Sequence, residues 1–161
     1  MTSIVILTDS IREIPYFSCF FEDEKEVVIP RPLINESINF GIVEELKSVC
    51  SNAASGGHLK ILKWARENGC PWDEWTCSNA ASGGHLEILK WARENGCPWN
   101  ELTCNCAAQN GHLEVLKYAH ENGCPWDEKA CNLAAYNGHT HILKYLKVNN
   151  CPWDGWSLVN V

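Results

Sequence analysis

The sequence predicts an all-α solenoid of about four stacked helix–turn–helix repeats behind a non-repeating N-terminal cap. The first observation is a 27-residue period: the stretch Cys70–Asn95, CPWDEWTCSNAASGGHLEILKWAREN, returns from Cys97 and again from Cys124. The ladders Cys50/77/104/131, His58/85/112/139, Cys70/97/124/151 and Trp72/99/126/153 keep one phase throughout. Self-similarity at a fixed period of about 20–50 residues marks an array of stacked supersecondary units. The second observation is that each unit holds two stretches with helical apolar spacing, divided by glycine. The third is length. Each stretch spans only about ten residues, and isolated helices shorter than about 12–15 residues are marginal in water, so stacking must hold them.

A chain of 161 residues, 45% hydrophobic, has enough apolar material for one continuous core. Lys and Arg number 13 against 20 acidic residues, a net charge of −7. An acidic surface repels phosphate backbones, which speaks against nucleic-acid partners. No apolar run approaches the ~20 residues of a membrane-spanning helix. Ile4-Val5-Ile6-Leu7 is too short for a secretory leader and has no basic residue before it. Of ten cysteines, eight fall on the two ladders, so equivalent cysteines are separated by whole repeats. That pattern points to reduced thiols used as small buried apolar residues in a cytoplasmic protein.

Residues 1–43 do not repeat. Asp9 or Ser10 is placed to cap a short helix through Ile11 and Ile14, which Pro15 would bend or end. Phe17, Phe20 and Phe21 form an apolar cluster ahead of the solvated acidic run Glu22–Glu26. Val27-Val28-Ile29 reads as extended, and Pro30 and Pro32 discourage helix there. Leu33, Ile34, Ile38, Phe40 and Gly41 lie nearly one period ahead of Leu59, Ile61, Ala65 and Gly69, and are expected to form a degenerate half-repeat that caps the stack. The array then divides into units 44–70, 71–97, 98–124 and 125–151, with a partial unit at 152–161.

Within a unit, Asp73 stands where an N-cap belongs and Glu74 places negative charge in the first turn. Thr76, Cys77, Ala80 and Ala81 make a narrow stripe of small residues, and Ser82-Gly83-Gly84 supplies a tight turn. The second helix is expected from His85 or Leu86 to about Asn95, burying Leu86, Ile88, Leu89 and Ala92 with Trp91 at its edge. Gly96 is placed as its C-cap, and Pro98 prevents continuation. At the C-terminus, Trp153 to Val159 begins a fifth first helix. Leu158 takes the phase of Cys131 and is expected to cap the exposed end of the fourth pair.

The segment Cys77–Lys90, CSNAASGGHLEILK, resembles the ankyrin repeat. There the pattern runs from a Thr-Pro-Leu-His helix start through Ala-Ala to Gly-His-Leu-Glu-Val-Val-Lys. Gly96-Cys97-Pro98-Trp99-Asn100 stands where that family has Gly-Ala-Asp-Val-Asn. The usual ankyrin unit has about 33 residues, and the shortfall here lies between helix pairs. Cys-Pro-Trp-Asp-Glu with Thr-Cys is similar to a short ankyrin-type repeat of giant viruses of protists. The resemblance covers roughly residues 44–161. It implies a protein-binding scaffold without catalysis. Relatives of the short viral type often act on host proteins, and many carry an N-terminal F-box that recruits ubiquitin-ligase machinery. In residues 1–43 only Glu13-Ile14-Pro15 echoes such a segment. Two departures from the family matter. Trp75-Thr76-Cys77-Ser78 replaces the Thr-Pro-Leu-His tetrad, which puts that tetrad's inter-repeat hydrogen bonds in doubt. The shortened connection should also reduce or remove the projecting β-hairpin finger.

Cysteine and histidine raise the question of zinc, which takes four ligands at ~2.0–2.3 Å, usually with a close pair such as Cys-x2-Cys. Cys77, His85 and Cys70 or Cys97 are the available set, and the one close pair, Cys104-x-Cys106, does not recur. The reading adopted puts Cys77 in the core, Cys97 at a packing position and His85 on backbone, with no metal and no cofactor. A cysteine nucleophile with a histidine base needs one asymmetric site, whereas the Cys/His sets here form a ladder. His120 and His141 break the repeat and are read as outward and solvated. Ser55-Gly56-Gly57-His58 lacks the Lys-Ser/Thr that follows a phosphate loop. No enzyme is expected. Trp72, Trp99, Trp126 and Trp153 are expected to pack between repeats, and Lys63/90/117 with Glu67/94/121, Glu87 and Glu114 to form a solvated outer face.

Positions that a fold leaves free can carry specificity. On the first helix, Trp75/Leu102/Lys129 and Ser82/Gln109/Tyr136 change chemistry at every step, as does the partly buried series Asn79/Cys106/Leu133. The first two series form the candidate binding face for an unidentified protein or peptide on a monomeric scaffold. The alternatives are a substrate adaptor for a ubiquitin ligase, a cysteine-rich zinc or redox protein, and a folded product with no selected partner.

Overall fold

The computed structural model describes residues 4–6, 21–22, 26–29, 40–67 and 69–153. The strands β1 (Ile4–Ile6), β2 (Phe21–Glu22) and β3 (Glu26–Ile29) make a small antiparallel sheet in the order β1-β3-β2. Ile4 lies opposite Ile29, and Phe21 opposite Val27. The extended reading of Val27–Ile29 thus falls in β3. The helix expected after Asp9 or Ser10, the stretch from Leu33 to Ile38 and the Leu158 cap lie outside the described residues.

Eight helices follow among the described residues: α1 (Phe40–Ser55), α2 (Leu59–Glu67), α3 (Glu74–Ser82), α4 (Leu86–Glu94), α5 (Glu101–Gln109), α6 (Leu113–Glu121), α7 (Glu128–Tyr136) and α8 (Thr140–Val148). The array is the all-α solenoid of helix pairs that the period predicts. Gly41 does not end a helix as Gly69 does: α1 starts at Phe40 and runs unbroken. Val49, Cys50, Ala53 and Ala54 share its buried face.

Three first helices start in one way. Asp73, Asn100 and Asp127 each adopt an extended backbone, and each side-chain oxygen accepts the N–H two residues on, at 3.1 Å. The second helix ends one residue earlier than the glycine suggests, at Asn95, whose Nδ2 donates to the Trp91 carbonyl at 2.8 Å. Gly96 follows in the left-handed region at φ 82, the usual place of glycine just past a helix end. Residues 95–100 then cross to the next unit without a strand, so the connection carries no β-hairpin.

Ala53 and Ala54, Ala80 and Ala81, and Ala107 and Ala108 are buried along the first helices. Methyl groups alone let these backbones lie close, and consecutive first helices pack more tightly than consecutive second helices. The second helices contribute Ile61, Leu62, Ile88, Leu89, Val115 and Leu116 to one core that runs through all units. Burying an aliphatic side chain of this size stabilises by about 1.5–3 kcal/mol, which is why helices too short to stand alone persist here.

Three sets of contacts tie each unit to the one before it. His85, His112 and His139 place Nε2 at 2.9, 3.0 and 3.0 Å from the carbonyls of Ser55, Ser82 and Gln109. A carbonyl only accepts, so Nε2 carries the proton. Cys97, Cys124 and Cys151 donate their thiols to the carbonyls of Asp73, Asn100 and Asp127 at 3.4, 3.2 and 3.4 Å. These bonds link consecutive units without a Thr-Pro-Leu-His tetrad in the chain. Tryptophan supplies the third tie. Trp72 has the Arg66 guanidinium 4.0 Å from its ring and Trp91 edge-on at 5.7 Å. Trp99 sits likewise between Arg93 and Tyr118, and Trp126 between His120 and Tyr145. Such stacking adds about 0.5–1.5 kcal/mol per aromatic pair beyond burial.

Candidate functional site

The capping bonds at Asp73, Asn100 and Asp127 set where each first helix begins, so they also set where its second residue stands. Trp75, Leu102 and Lys129 are those residues. Ser82, Gln109 and Tyr136 follow seven residues later, two turns on and on the same side, about 10.5 Å along the axis. Trp75 is 54% exposed and Tyr136 is 90% exposed, the two large aromatic side chains standing most in water among the described residues. Gln109 and Lys129 are exposed, and Leu102 and Ser82 half-buried. Asn110 Nδ2 donates to Ser82 Oγ at 3.2 Å, and Lys129 Nζ lies 3.9 Å from Asp127 Oδ2.

The six residues form a surface rather than a cluster. Trp75 is on α3 and Tyr136 on α7, with α5 between them. Packed helices lie about 8–10 Å apart, so these aromatics stand roughly 20 Å from each other across the face. Asn79, Cys106 and Leu133 are half-buried on its flank.

Sequence reasoning missed Asn105. It occupies the place of Ser78, whose Oγ donates to the Glu74 carbonyl one turn back at 2.9 Å. Asn105 is 3% exposed, and neither its Oδ1 nor its Nδ2 has a partner. Replacement of the serine at this phase by a larger amide was the available signal. An unpaired buried polar group costs about 1–3 kcal/mol. Asn105→Ser, able to bond the Glu101 carbonyl, is expected to stabilise the array by about 1–2 kcal/mol, read as a higher denaturant midpoint. An unchanged or lower midpoint would mean the amide is already satisfied.

The cysteine and histidine ladders are structural. The nine described cysteines are free thiols, all buried except the half-buried Cys106. Burial pushes the Cys50 thiol up to about 12 and that of Cys70 up to about 11. The thiols of Cys97 and Cys151 are raised by hydrogen bonds with Cys77 and Cys131 and by burial. Cys124 shifts the other way, lowered by its hydrogen bond with Cys104, whereas the raised, buried thiols are poor nucleophiles and poor metal ligands. Among the described residues no three His, Cys, Asp or Glu side chains converge to hold a metal ion. His120 departs from its expected solvated position: it is half-buried and stacked on Trp126 at 3.5 Å, in the place that Arg66 and Arg93 take in earlier units. A flat ring substitutes there for a flat guanidinium. His141 is exposed but meets the Gly111 carbonyl at 3.2 Å. The outer face carries the Lys90–Glu87 and Lys117–Glu114 pairs at 3.1 and 2.8 Å, and Lys63 lies 5.8 Å over the Trp91 ring. No described helix is long and apolar enough to cross a membrane.

Stacked helix pairs with a continuous core and an exposed, chemically varied first-helix face define a helical repeat scaffold. The family model described as ankyrin repeats (many copies) matches residues 50–93, 77–120 and 104–146. The chain belongs to the ankyrin-repeat family, a protein–protein interaction module. No curated protein matches the chain at a significant level.

Proposed function

We propose that this chain is a non-catalytic binding scaffold whose protein or peptide partner lies along the first-helix face, from Trp75 past Leu102 to Tyr136. The supporting observation is the exposure of Trp75 and Tyr136, 54% and 90%, on a side of the array where the neighbouring alanines are fully covered. Large aromatics contribute little to a fold from that position and much to an interface. The outer face repeats its lysines and glutamates and pairs them, which suits solubility.

An effector acting on host proteins and an adaptor for a ubiquitin ligase are narrower forms of this reading. Both rest on the likeness of the 27-residue unit to the short viral type. A monomer in a reducing cytoplasm belongs to the same proposal and is supported by the nine described cysteines, all free thiols and all but Cys106 buried. With a partner in hand, Trp75→Ala and Tyr136→Ala are each expected to weaken binding by at least about 1 kcal/mol, roughly fivefold, without lowering the melting temperature. Titration calorimetry of these variants beside Lys90→Ala and Glu94→Ala decides the face. Weakening by the second pair alone would place the interface on the outer side.

A further inference from the structure

Resting on the first-helix face as the binding surface, we infer that its partner is a basic polypeptide segment. Its lysine or arginine side chains meet Glu74, Glu101 and Glu128, while an apolar or aromatic side chain covers the stripe between Trp75 and Tyr136.

Charge is segregated in this array. Helices α3, α5 and α7 with their caps carry Asp73, Glu74, Glu101, Asp127 and Glu128 against one cation, Lys129, which lies 3.9 Å from Asp127. The second helices α2, α4, α6 and α8 carry eight lysines and arginines against five glutamates, and they spend them locally. Lys90 and Lys117 pair with Glu87 and Glu114, and Arg66 and Arg93 lie over Trp72 and Trp99. The row Glu74, Glu101 and Glu128 therefore has no ion pair among the described residues. The helix dipole accounts for an acidic residue in each first turn. It does not account for the lack of cations elsewhere on the same face, where exposed Gln109 and Tyr136 are free of core packing.

Spacing and polarity agree with a polypeptide occupant. The carboxylates recur at about the 8–10 Å step of packed helices, which an extended chain covers in about three residues at ~3.3 Å each. Beside that row stand Trp75 and Leu102, able to hold an apolar anchor. Exposed Gln109 and Tyr136 lie two turns along from Leu102 and Lys129 and add polar and aromatic surface to the same face. A chain of net charge −7 also draws a basic segment toward it before contact.

The test uses a displayed library of short random peptides selected on the whole folded chain, with enriched sequences synthesised and their Kd measured by fluorescence anisotropy at low and high salt. Enriched peptides are expected to carry net positive charge and an apolar anchor. They should bind about tenfold more weakly in molar salt, where screening shortens from ~10 Å to ~3 Å. The triple variant Glu74→Gln/Glu101→Gln/Glu128→Gln should lose about tenfold in affinity, and Glu87→Gln/Glu114→Gln/Glu121→Gln should not. Glu101→Gln alone, on the central helix, repeats the test if the triple variant melts early. Neutral or acidic winners, no winners, or indifference to the first-helix glutamates would overturn the inference. Peptides that ignore those glutamates but still need Trp75 leave the binding face standing and remove only its basic partner. Peptides that follow Lys90→Ala instead of Trp75→Ala remove both.

Discussion

Gly84→Ala is expected to destabilise the array by about 2–4 kcal/mol, although it adds one methyl group at a half-exposed turn. Gly84 has φ +73, in the left-handed region, where a side chain costs about 1–3 kcal/mol. A Cβ there would also stand 2.7 Å from Cε1 and Nδ1 of His112. That ring is not free to move away at no cost, because its Nε2 bonds the Ser82 carbonyl at 3.0 Å. Losing this tie between units adds about 0.5–1.5 kcal/mol. Denaturant titration of a double-mutant cycle separates the two parts. In a His112→Ala background, Gly84→Ala should cost only the backbone strain, since the collision has gone. The same cost in both backgrounds would show that the methyl group never meets the histidine. Gly83 makes the contrast. Its φ is −81, so alanine there meets no backbone strain and only a collision, with Cβ 2.5 Å from His85 Cδ2 and 2.7 Å from the Ser55 carbonyl oxygen.

Ala80→Leu is expected to cost about 1–3 kcal/mol through overpacking. Ala80 is fully buried on α3, which lies between α1 and α5, and the close approach of these three backbones depends on the small residue. Separating them would also stretch the histidine and thiol bonds on either side, so the loss should spread beyond one contact. Lys90→Ala, on the solvated face with its partner Glu87 exposed, should change stability by no more than about 0.5 kcal/mol. Both are read as shifts in denaturant midpoint at constant slope. Equal shifts for the two variants would mean that the buried and exposed sides have been assigned wrongly.

Much of this fold is written in the sequence because it is local and repeated. Asp73, Asn100 and Asp127 cap their own helices within two residues. Gly84 and Gly111 turn the chain inside a unit, and the apolar spacing of Ile88, Leu89 and Ala92 names the buried side of a single helix. Each of these needs only a few neighbouring residues, so each can be read from a single copy and checked against the others. Recurrence also marks Cys77, Cys97 and Trp99 as packing residues, since a catalytic centre needs one asymmetric site rather than a ladder.

What the tertiary structure decided lies between units. His112 finds a carbonyl 30 residues back and the Cys97 thiol one 24 residues back. A main-chain carbonyl has no signature in sequence, so the acceptor could not be named. His120 reads as a break in a surface series until Trp126 is seen stacked on it. Asn105 carries no signal in sequence beyond its exchange for serine, yet it is buried in the array. Trp75 and Tyr136 stand on first helices separated by α5. All of these depend on the shift and rotation that carry one unit onto the next, which a 27-residue period leaves open and only the packed stack sets.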